Sequence, residues 1–382
     1  VHQSPSTLGV GEDFPLLQVD DTYDGLWALG HMGRARLQGK AVAITGSSGK
    51  TTAKHFISAA LSAYAPPGSF NNHIGVPLSL ANTPAQSKFA VYEVGTNHPG
   101  EIEPLARMIA PDVAVLLNVQ SAHIENFQNW EELKKEKISI FNAIDNKSNT
   151  VSEYSLGVPH GLTFGTDSRA DAFVKDVQGD RARIVLLGKP LSAQIPGGGV
   201  HRATTLAATL LVSHLLDQDP LKACELPHNL IPAGRGNIIK IGDITLIDDS
   251  YNANPDSMLA AINSLTSTRS SAQPGQTHQI ALIGEMLELG DAGEAGHLAL
   301  TEPLAGIDQV FCVGAGTRSL AKTLGCPWHE RANDNLLQEV TRTCTSSSTV
   351  LVKGSNRVFW AEDFVQQLRK KLEEIYVSRV TI

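Results

Sequence analysis

Short apolar runs alternate with amphipathic segments along the first 150 residues of the chain. The buried runs lie at residues 41–44, 89–94 and 113–117. They are apolar at almost every position, which is typical of strands covered on both faces. Segments with apolar side chains at helical spacing lie at residues 20–36, 51–64, 101–109 and 130–144. This alternation predicts a mostly parallel sheet with helices on both faces.

The pattern changes after residue 150. From about residue 151 to residue 195, short segments and turns indicate antiparallel strands such as residues 182–187. Residues 201–216 form a strongly apolar predicted helix, and Pro and Gly then cluster at residues 232–236 as a predicted hinge. A second strand–helix series follows, with strands at residues 244–247, 279–283, 309–313 and 349–352. This series predicts a second α/β domain of about 150 residues.

Composition narrows the function classes. The 382 residues carry a net charge of −8, which argues against nucleic acid or an anionic membrane as the main partner. The longest apolar runs are too short to cross a bilayer. The four cysteines have no C-x-x-C spacing and no metal-ligand pattern with histidine. They are therefore predicted to be reduced thiols of a cytoplasmic protein.

A candidate phosphate-binding loop joins the strand at residues 41–44 to the helix at residues 51–64. Its members are Gly46, Ser47, Ser48, Gly49, Lys50, Thr51 and Thr52. Backbone N–H groups of such a loop wrap phosphate oxygens, while the helix N-terminus adds positive potential. Lys50 would neutralise the β- and γ-phosphates, and the Thr51 hydroxyl would ligate Mg²⁺. Ile44 replaces the first glycine of the strict motif, so a Gly-Ser turn with a solvated lysine is the alternative.

The form T-G-x-x-G-K-T resembles the Mur ligase family, and further blocks look like its MurF branch. These blocks lie in family order at residues 70–79, 92–102, 248–255, 284–290 and 352–355. The resemblance implies an ATP- and Mg²⁺-dependent ligase. Such an enzyme activates a small-molecule carboxylate as an acyl phosphate and joins it to an amine. It also implies a monomer and a P-loop central domain followed by a Rossmann-like α/β C-terminal domain.

Three residues resemble the metal-binding set of the family. Glu93 ends a strand, where parallel sheets place ligand-binding groups, and by resemblance it binds Mg²⁺. His123 matches the histidine of the second metal ion, and Lys137 matches a carbamylated lysine. Carbamylation makes an ammonium into an anionic oxygen donor. Around Lys137, Glu136 replaces the usual Ala and Ser139 the usual Glu. A solvent-facing carboxylate, a structural histidine and a solvated lysine are the alternatives.

In the C-terminal half, the resemblance assigns nucleotide contacts to Arg235, Asp249, Tyr251 and Asn252. A guanidinium fork suits phosphate oxygens, which fits the hinge arginine. An Asn-Pro turn after the strand is the alternative for residues 252–255. Lys353 and Ser355 resemble residues near the amine substrate.

The chain also departs from the family. The resemblance implies a full N-terminal domain for the uridine diphosphate end of the substrate, but residues 1–40 look like only its remnant. Residues 146–153 form a shorter segment where the family has an Asn-x-Asp-Asp block. Thr205 occupies the position at which the family usually has an Asn of the adenine region. We therefore predict three regions, at residues 1–40, 41–232 and 233–382.

Shortening at separate places favours a MurF-like amide ligase that acts on a smaller carboxylate. One alternative is an authentic MurF enzyme that adds D-alanyl-D-alanine in peptidoglycan synthesis. The other is a nucleotide-binding subunit without ligase activity. The metal-ligand set argues against the last, since a binding module does not need it.

If the loop works as described, Lys50→Ala should abolish turnover, because the charge on the transferring phosphoryl group loses its main protein cation. Release of ADP measures this directly. Survival of activity in the variant would remove the phosphate loop from the mechanism.

Overall fold

The computed structural model describes residues 7, 16–120, 124–270, 278–287 and 289–380. Within these residues the chain forms an eight-stranded sheet followed by a six-stranded sheet. Both are built largely from parallel neighbours, and helices cover them. The predicted fold class is therefore confirmed.

The first sheet has the strand order β2-β1-β3-β4-β5-β6-β7-β8. Its strands are β1 (Lys40–Thr45), β2 (Phe89–Glu93), β3 (Val113–Leu116), β4 (Thr150–Glu153), β5 (Leu162–Gly165), β6 (Ala172–Gln178), β7 (Arg181–Leu186) and β8 (Lys189–Gln194). Strands β1 to β6 pair in parallel, whereas β7 is antiparallel to both of its neighbours. The antiparallel strand predicted at residues 182–187 is thus confirmed. The helices that accompany this sheet are α1 (Thr22–Arg36), α2 (Lys50–Leu61), α3 (Gly75–Ala81), α4 (Ile102–Ile109), α5 (Trp130–Ile138), α6 (Val200–Leu215) and α7 (Leu221–Cys224).

Strand β1 shows why the runs of the first half are apolar throughout. Val42 and Ile44 point to one face, where they pack in a core that includes α2 and α6. Ala41 and Ala43 point to the other face, toward the core formed with α3 and α4. Successive side chains of a strand face opposite sides of the sheet, so a strand that is covered on both faces is apolar at nearly every position.

The prediction of a helix at residues 130–144 was wrong for the second half of this segment. Helix α5 ends at Ile138, and Ser139–Ala143 is a 3-10 helix. The Ser139 hydroxyl donates to Glu136 O at 2.6 Å. Such a local side-chain bond competes with the regular helical ladder and favours the tighter turn.

The second sheet has the order β13-β12-β11-β14-β10-β9. Its strands are β9 (Asn237–Ile241), β10 (Ile244–Asp249), β11 (His278–Gly284), β12 (Gln309–Val313), β13 (Trp328–His329) and β14 (Ser348–Lys353). Only β9 is antiparallel to its neighbour within the described strands of this sheet. Its helices are α8 (Pro255–Ser270), α9 (Gly293–Leu298), α10 (Thr301–Leu304), α11 (Arg318–Leu324), α12 (Asp334–Thr343) and α13 (Phe364–Val380). The boundary predicted between residues 232 and 233 lies in the segment that joins the two sheets, and the three-region division stays a prediction.

Register brings two distant segments to one edge of the first sheet. Ile44 of β1 lies beside Glu93 of β2, and Thr45 lies beside Leu116 of β3. The loop after β1 therefore leaves the sheet between the carboxyl ends of β2 and β3. This is the edge at which open parallel sheets bind ligands.

Helix α1 packs closely against α3 at Gly33. A Cβ atom there would lie 2.2 Å from Leu80 O and 2.8 Å from Ala81 Cα. We expect Gly33→Ala to lower the free energy of unfolding by about 1–3 kcal/mol, because the two helices would have to separate. Urea denaturation measures it.

Gly25→Ala in the same helix is the matched control. The three atoms nearest to its added Cβ all belong to the Val19 side chain, the closest at 3.2 Å. The gain in helix propensity, up to about 1 kcal/mol, should then offset most of the crowding. Equal losses in the two variants would contradict the close packing of α1 on α3.

Candidate active site

The loop between β1 and α2 is shaped to receive an anion. Gly49 precedes α2 with φ of 79°, a left-handed conformation that favours glycine. The N-terminus of α2 has no side-chain cap, so its first N–H groups are available. Lys50 Nζ donates to Gly46 O at 2.6 Å and thus lies folded over the loop.

Residues after β3 hold this loop in place. Asn118 accepts from the backbone of Ser47 at 3.2 Å and, through Oδ1, from Ser48 N at 3.0 Å. The Ser48 hydroxyl donates to Gln120 Oε1 at 2.7 Å. Sequence reasoning did not single out Asn118 or Gln120. Their position just beyond a strand adjacent to β1 was the available signal.

Glu93 is buried at the base of the loop. Thr51 Oγ1 donates to Glu93 Oε2 at 3.1 Å, and Lys54 Nζ lies 3.1 Å from Oε1. The side chains of Lys54 and Glu93 are only 3% and 2% exposed. Lys54 also donates to Pro66 O at 2.9 Å and to Gly68 O. Sequence reasoning missed Lys54, although its place three residues after Thr51 puts both on one helix face.

The Thr51 and Glu93 oxygens fit the donor set of a magnesium ion. Both are hard oxygen donors, and two neighbouring ligands of octahedral Mg²⁺ stand about 3.0 Å apart. The two atoms lie 3.1 Å from each other. Glu93 Oε1, although ion-paired, accepts no hydrogen bond of good geometry from the described residues. This oxygen therefore keeps lone pairs for a cation.

Two buried lysines, Lys50 and Lys137, have strongly lowered pKa values. Burial lowers the pKa of Lys50 to about 8, against the opposing pull of Glu93 and with a smaller contribution from Arg235. Burial also lowers the pKa of Lys137 to about 7, and the charge on Lys50 adds to the effect. Lys137 is 1% exposed and has no hydrogen-bond or ion-pair partner within the described part of the chain. An uncharged amine is the form that reacts with carbon dioxide.

The residue before Lys137 explains one departure from the family pattern. Glu136 accepts from Gly100 N and Ile102 N, both at 2.8 Å, and so binds the N-terminus of α4. Both oxygens of its carboxylate are therefore occupied by backbone donors. His123 lies outside the described residues.

Arg235 connects the segment between the sheets to the phosphate loop. Its Nη2 donates to Ser69 Oγ at 3.0 Å, and Ser69 Oγ lies 2.9 Å from Thr51 Oγ1. The guanidinium carbon lies 4.1 Å from the Tyr251 ring centroid. Tyr251 in turn meets Trp360 edge to face, with ring centroids 5.4 Å apart. The predicted Arg235 and Tyr251 thus lie together, with Ser69 as a partner that sequence reasoning missed.

The other predicted residues of the second half surround Lys353. Its Nζ donates to Asp249 Oδ2 at 2.7 Å and to Asn252 O at 3.1 Å. The Ser355 hydroxyl accepts from Leu287 N at 2.9 Å, which places it beside the loop after β11. These groups lie at the carboxyl ends of β10, β11 and β14.

A cleft of about 660 Å³ lies between the two sheets. Predicted residues that line it are Ser47, Ser48, Gly49, Lys50, Thr51, Thr52, Glu93, Arg235, Asp249, Tyr251 and Asn252. Gly46 and Lys137 are not among the residues that line it. Thr205 also lines the cleft, and its hydroxyl donates to His201 O of its own helix at 3.0 Å.

Two family models match the chain. The Mur ligase middle domain covers residues 44–210, and the Mur ligase, glutamate ligase domain covers residues 234–356. The phosphate loop falls in the first match and Arg235 in the second.

Curated relatives match nearly the whole chain. The UDP-N-acetylmuramoyl-tripeptide–D-alanyl-D-alanine ligase of Rickettsia prowazekii is 30% identical over 90% of this chain and 81% of its own length. The enzymes of that name from Bacillus subtilis and Escherichia coli are each 30% identical over 94% of this chain, which covers 82% and 83% of their own lengths.

Solved structures of MurF enzymes resemble the chain over most of its length. MurF from Acinetobacter baumannii superposes with a TM-score of 0.81 at 25% identity, covering 94% of this chain and 82% of its own. MurF ligase from Thermotoga maritima in complex with ADP gives 0.81 at 26% identity, covering 96% and 87%. Among the helices described here, none is long and apolar enough to span a membrane. The chain belongs to the Mur ligase family and is a MurF-like, ATP-dependent amide ligase that uses Mg²⁺.

Proposed function

We propose that the chain joins D-alanyl-D-alanine to the tripeptide carboxylate of UDP-N-acetylmuramoyl-tripeptide, with release of ADP and phosphate. The observation that carries the proposal is the match to ligases of that name over about four fifths of their length. The predicted smaller carboxylate finds no support among these relatives. The shorter segment at residues 146–153 was one reason for predicting a smaller carboxylate. It contributes β4 to the first sheet, and the cleft residues described above are present in spite of it.

The proposed roles follow the geometry of the cleft. The loop N–H groups and Lys50 would hold the β- and γ-phosphates, with Arg235 closing on them from the opposite side. Thr51 and Glu93 would hold Mg²⁺, which when bound neutralises charge on the phosphate oxygens. Lys137, carbamylated, and His123 complete the proposed metal set. Gly46, Ser47, Ser48, Gly49 and Thr52 complete the proposed nucleotide contacts on the first sheet, and Asp249, Tyr251 and Asn252 those on the second.

The reaction then needs little covalent chemistry from the protein. A substrate carboxylate oxygen attacks the γ-phosphorus, the bond to the β-phosphate oxygen breaks, and ADP and an acyl phosphate form. Lys50 and Arg235 stabilise the charge that spreads over the transferring group. The amine nitrogen then attacks the acyl carbon, and the tetrahedral intermediate expels phosphate and loses a proton. Positioning across the two halves supplies most of the acceleration.

We also propose that the enzyme works in the cytoplasm as a monomer on small-molecule substrates. The four cysteines form no disulfide among the described residues, which suits the reducing cytoplasm. The nearest pair, Cys312 and Cys326, has sulfur atoms 3.7 Å apart.

Release of ADP with defined substrate pairs tests the proposal. We expect turnover with UDP-N-acetylmuramoyl-tripeptide and D-alanyl-D-alanine, and a product mass equal to both minus water. The free tripeptide is the matched smaller carboxylate, and L-alanyl-L-alanine is the matched amine. Equal turnover of the free tripeptide would support the prediction that the substrate is a smaller carboxylate. Nucleotide binding without ADP release from any pair would contradict the ligase reaction.

Removing Lys54 should make stability depend on Mg²⁺. Lys54→Met leaves the buried Glu93 carboxylate without its counter-charge, a loss of about 3–5 kcal/mol for such pairs. A bound cation would replace the missing charge. Thermal unfolding with and without Mg²⁺ should therefore show a larger magnesium-induced rise in Tm for the variant than for the wild type.

Lys147→Met is the control for that experiment. Within the described residues, Lys147 Nζ donates only to backbone oxygens, Phe141 O at 2.5 Å and Ile144 O at 2.7 Å. Its loss should lower Tm without changing the response to Mg²⁺. The same magnesium response in both variants would show that Glu93 does not bind the ion.

A further inference from the structure

Arg202 is a buried cation whose described partners are all backbone oxygens. It lies in the first turn of α6 and is 7% exposed. Nη1 donates to Gly197 O at 2.6 Å and Gly198 O at 3.2 Å. Nη2 donates to Arg235 O at 3.1 Å and Gly236 O at 3.3 Å. No carboxylate of the described residues forms an ion pair with it.

These four oxygens belong to two different parts of the fold. Residues 197 and 198 follow the last strand of the first sheet, whereas residues 235 and 236 precede the first strand of the second. One planar guanidinium therefore ties the segment between the sheets to the first half. The fit is tight, since a Cβ on Gly236 would lie 2.0 Å from Arg202 Nη2. A lysine ammonium has three donors at a single point and cannot bridge this spread.

The backbone that Arg202 holds carries the side chain that reaches the phosphate loop. Arg235 O accepts from Arg202, while the Arg235 guanidinium donates to Ser69 Oγ, the neighbour of Thr51 Oγ1. From the side of the second sheet, Asp248 holds the same segment. Its Oδ2 accepts from Gly234 N at 2.8 Å, and its carbonyl accepts from Gly236 N at 2.7 Å.

We propose that Arg202 is a positioning residue that clamps residues 234–236 and so sets the reach of Arg235 to the transferring phosphoryl group. The proposal rests on the phosphate role proposed above for Arg235. Arg202 acts through the backbone of that residue, so its loss leaves the phosphate loop intact. Nucleotide affinity should therefore survive, while the rate of the chemical step falls.

The kinetic test compares Arg202→Lys, Arg235→Lys and the double variant. We expect Arg202→Lys to lower kcat by about 10- to 100-fold, as small misplacements of catalytic groups do, and to change the KM for ATP by less than about threefold. The double variant should be no slower than Arg235→Lys alone, since both act through one guanidinium. Losses that multiply in the double variant would overturn the proposal.

Two variants serve as references. Arg183→Lys is the matched control, because Arg183 is exposed and pairs with Asp176 on the surface. It should change none of these values. Arg202→Gln removes the bridge and leaves the backbone of residues 234–236 unaltered in sequence, so it should reproduce the selective loss of kcat and keeps the test valid if Arg202→Lys does not fold.

A second measurement needs neither the acyl donor nor the amine. Hydrogen exchange of the amides at residues 234–236 should speed up in Arg202→Lys by about tenfold relative to wild type and Arg183→Lys. ADP affinity should stay within about threefold in the same samples, because the loop is untouched. Unchanged hydrogen exchange at residues 234–236 would overturn the proposed clamp, even if the wild type is inactive with UDP-N-acetylmuramoyl-tripeptide and D-alanyl-D-alanine. Absence of turnover in the wild type alone would count only against the proposed substrates.

Discussion

The buried carboxylate of Glu93 is the constraint on which the nucleotide half of the structure depends. It ends a strand that is covered on both faces, so its charge must be compensated inside the protein. Lys54 and Thr51 supply that compensation from a single helix. The helix can do so only if it starts shortly after β1, and this fixes where the loop and the uncapped N-terminus of α2 lie.

The same constraint extends toward the second half through hydroxyl groups. Thr51 meets Ser69, and Ser69 meets Arg235, so the loop and the segment between the sheets share one hydrogen-bonded series. Arg202 and Asp248 hold that segment from opposite sides. A ligand that enters the cleft would contact both halves at once, which suits a reaction that depends on the positioning of three substrates.

Local patterns predicted elements well where a single rule acted. The strands of the first half follow from apolar runs, and α1 lies within the segment predicted at residues 20–36. Asp21 caps this helix by accepting from Tyr23 N and Asp24 N. The prediction at residues 130–144 was wrong where the Ser139 hydroxyl competed with the helix. Glu136 was noticed only as a departure, because its partners at Gly100 and Ile102 lie on another element.

The sequence by itself determined the fold class, the phosphate loop and the family, because each depends on residues that are close together or on blocks in a set order. Only the tertiary structure decided which of several lysines compensates Glu93 and which arginine holds the segment between the sheets. Lys54 and Arg202 carry no motif, and periodicity reports that a position is buried without naming its partner. Those partners come from sheet register and from the approach of two sheets, which bring together atoms from distant parts of the chain.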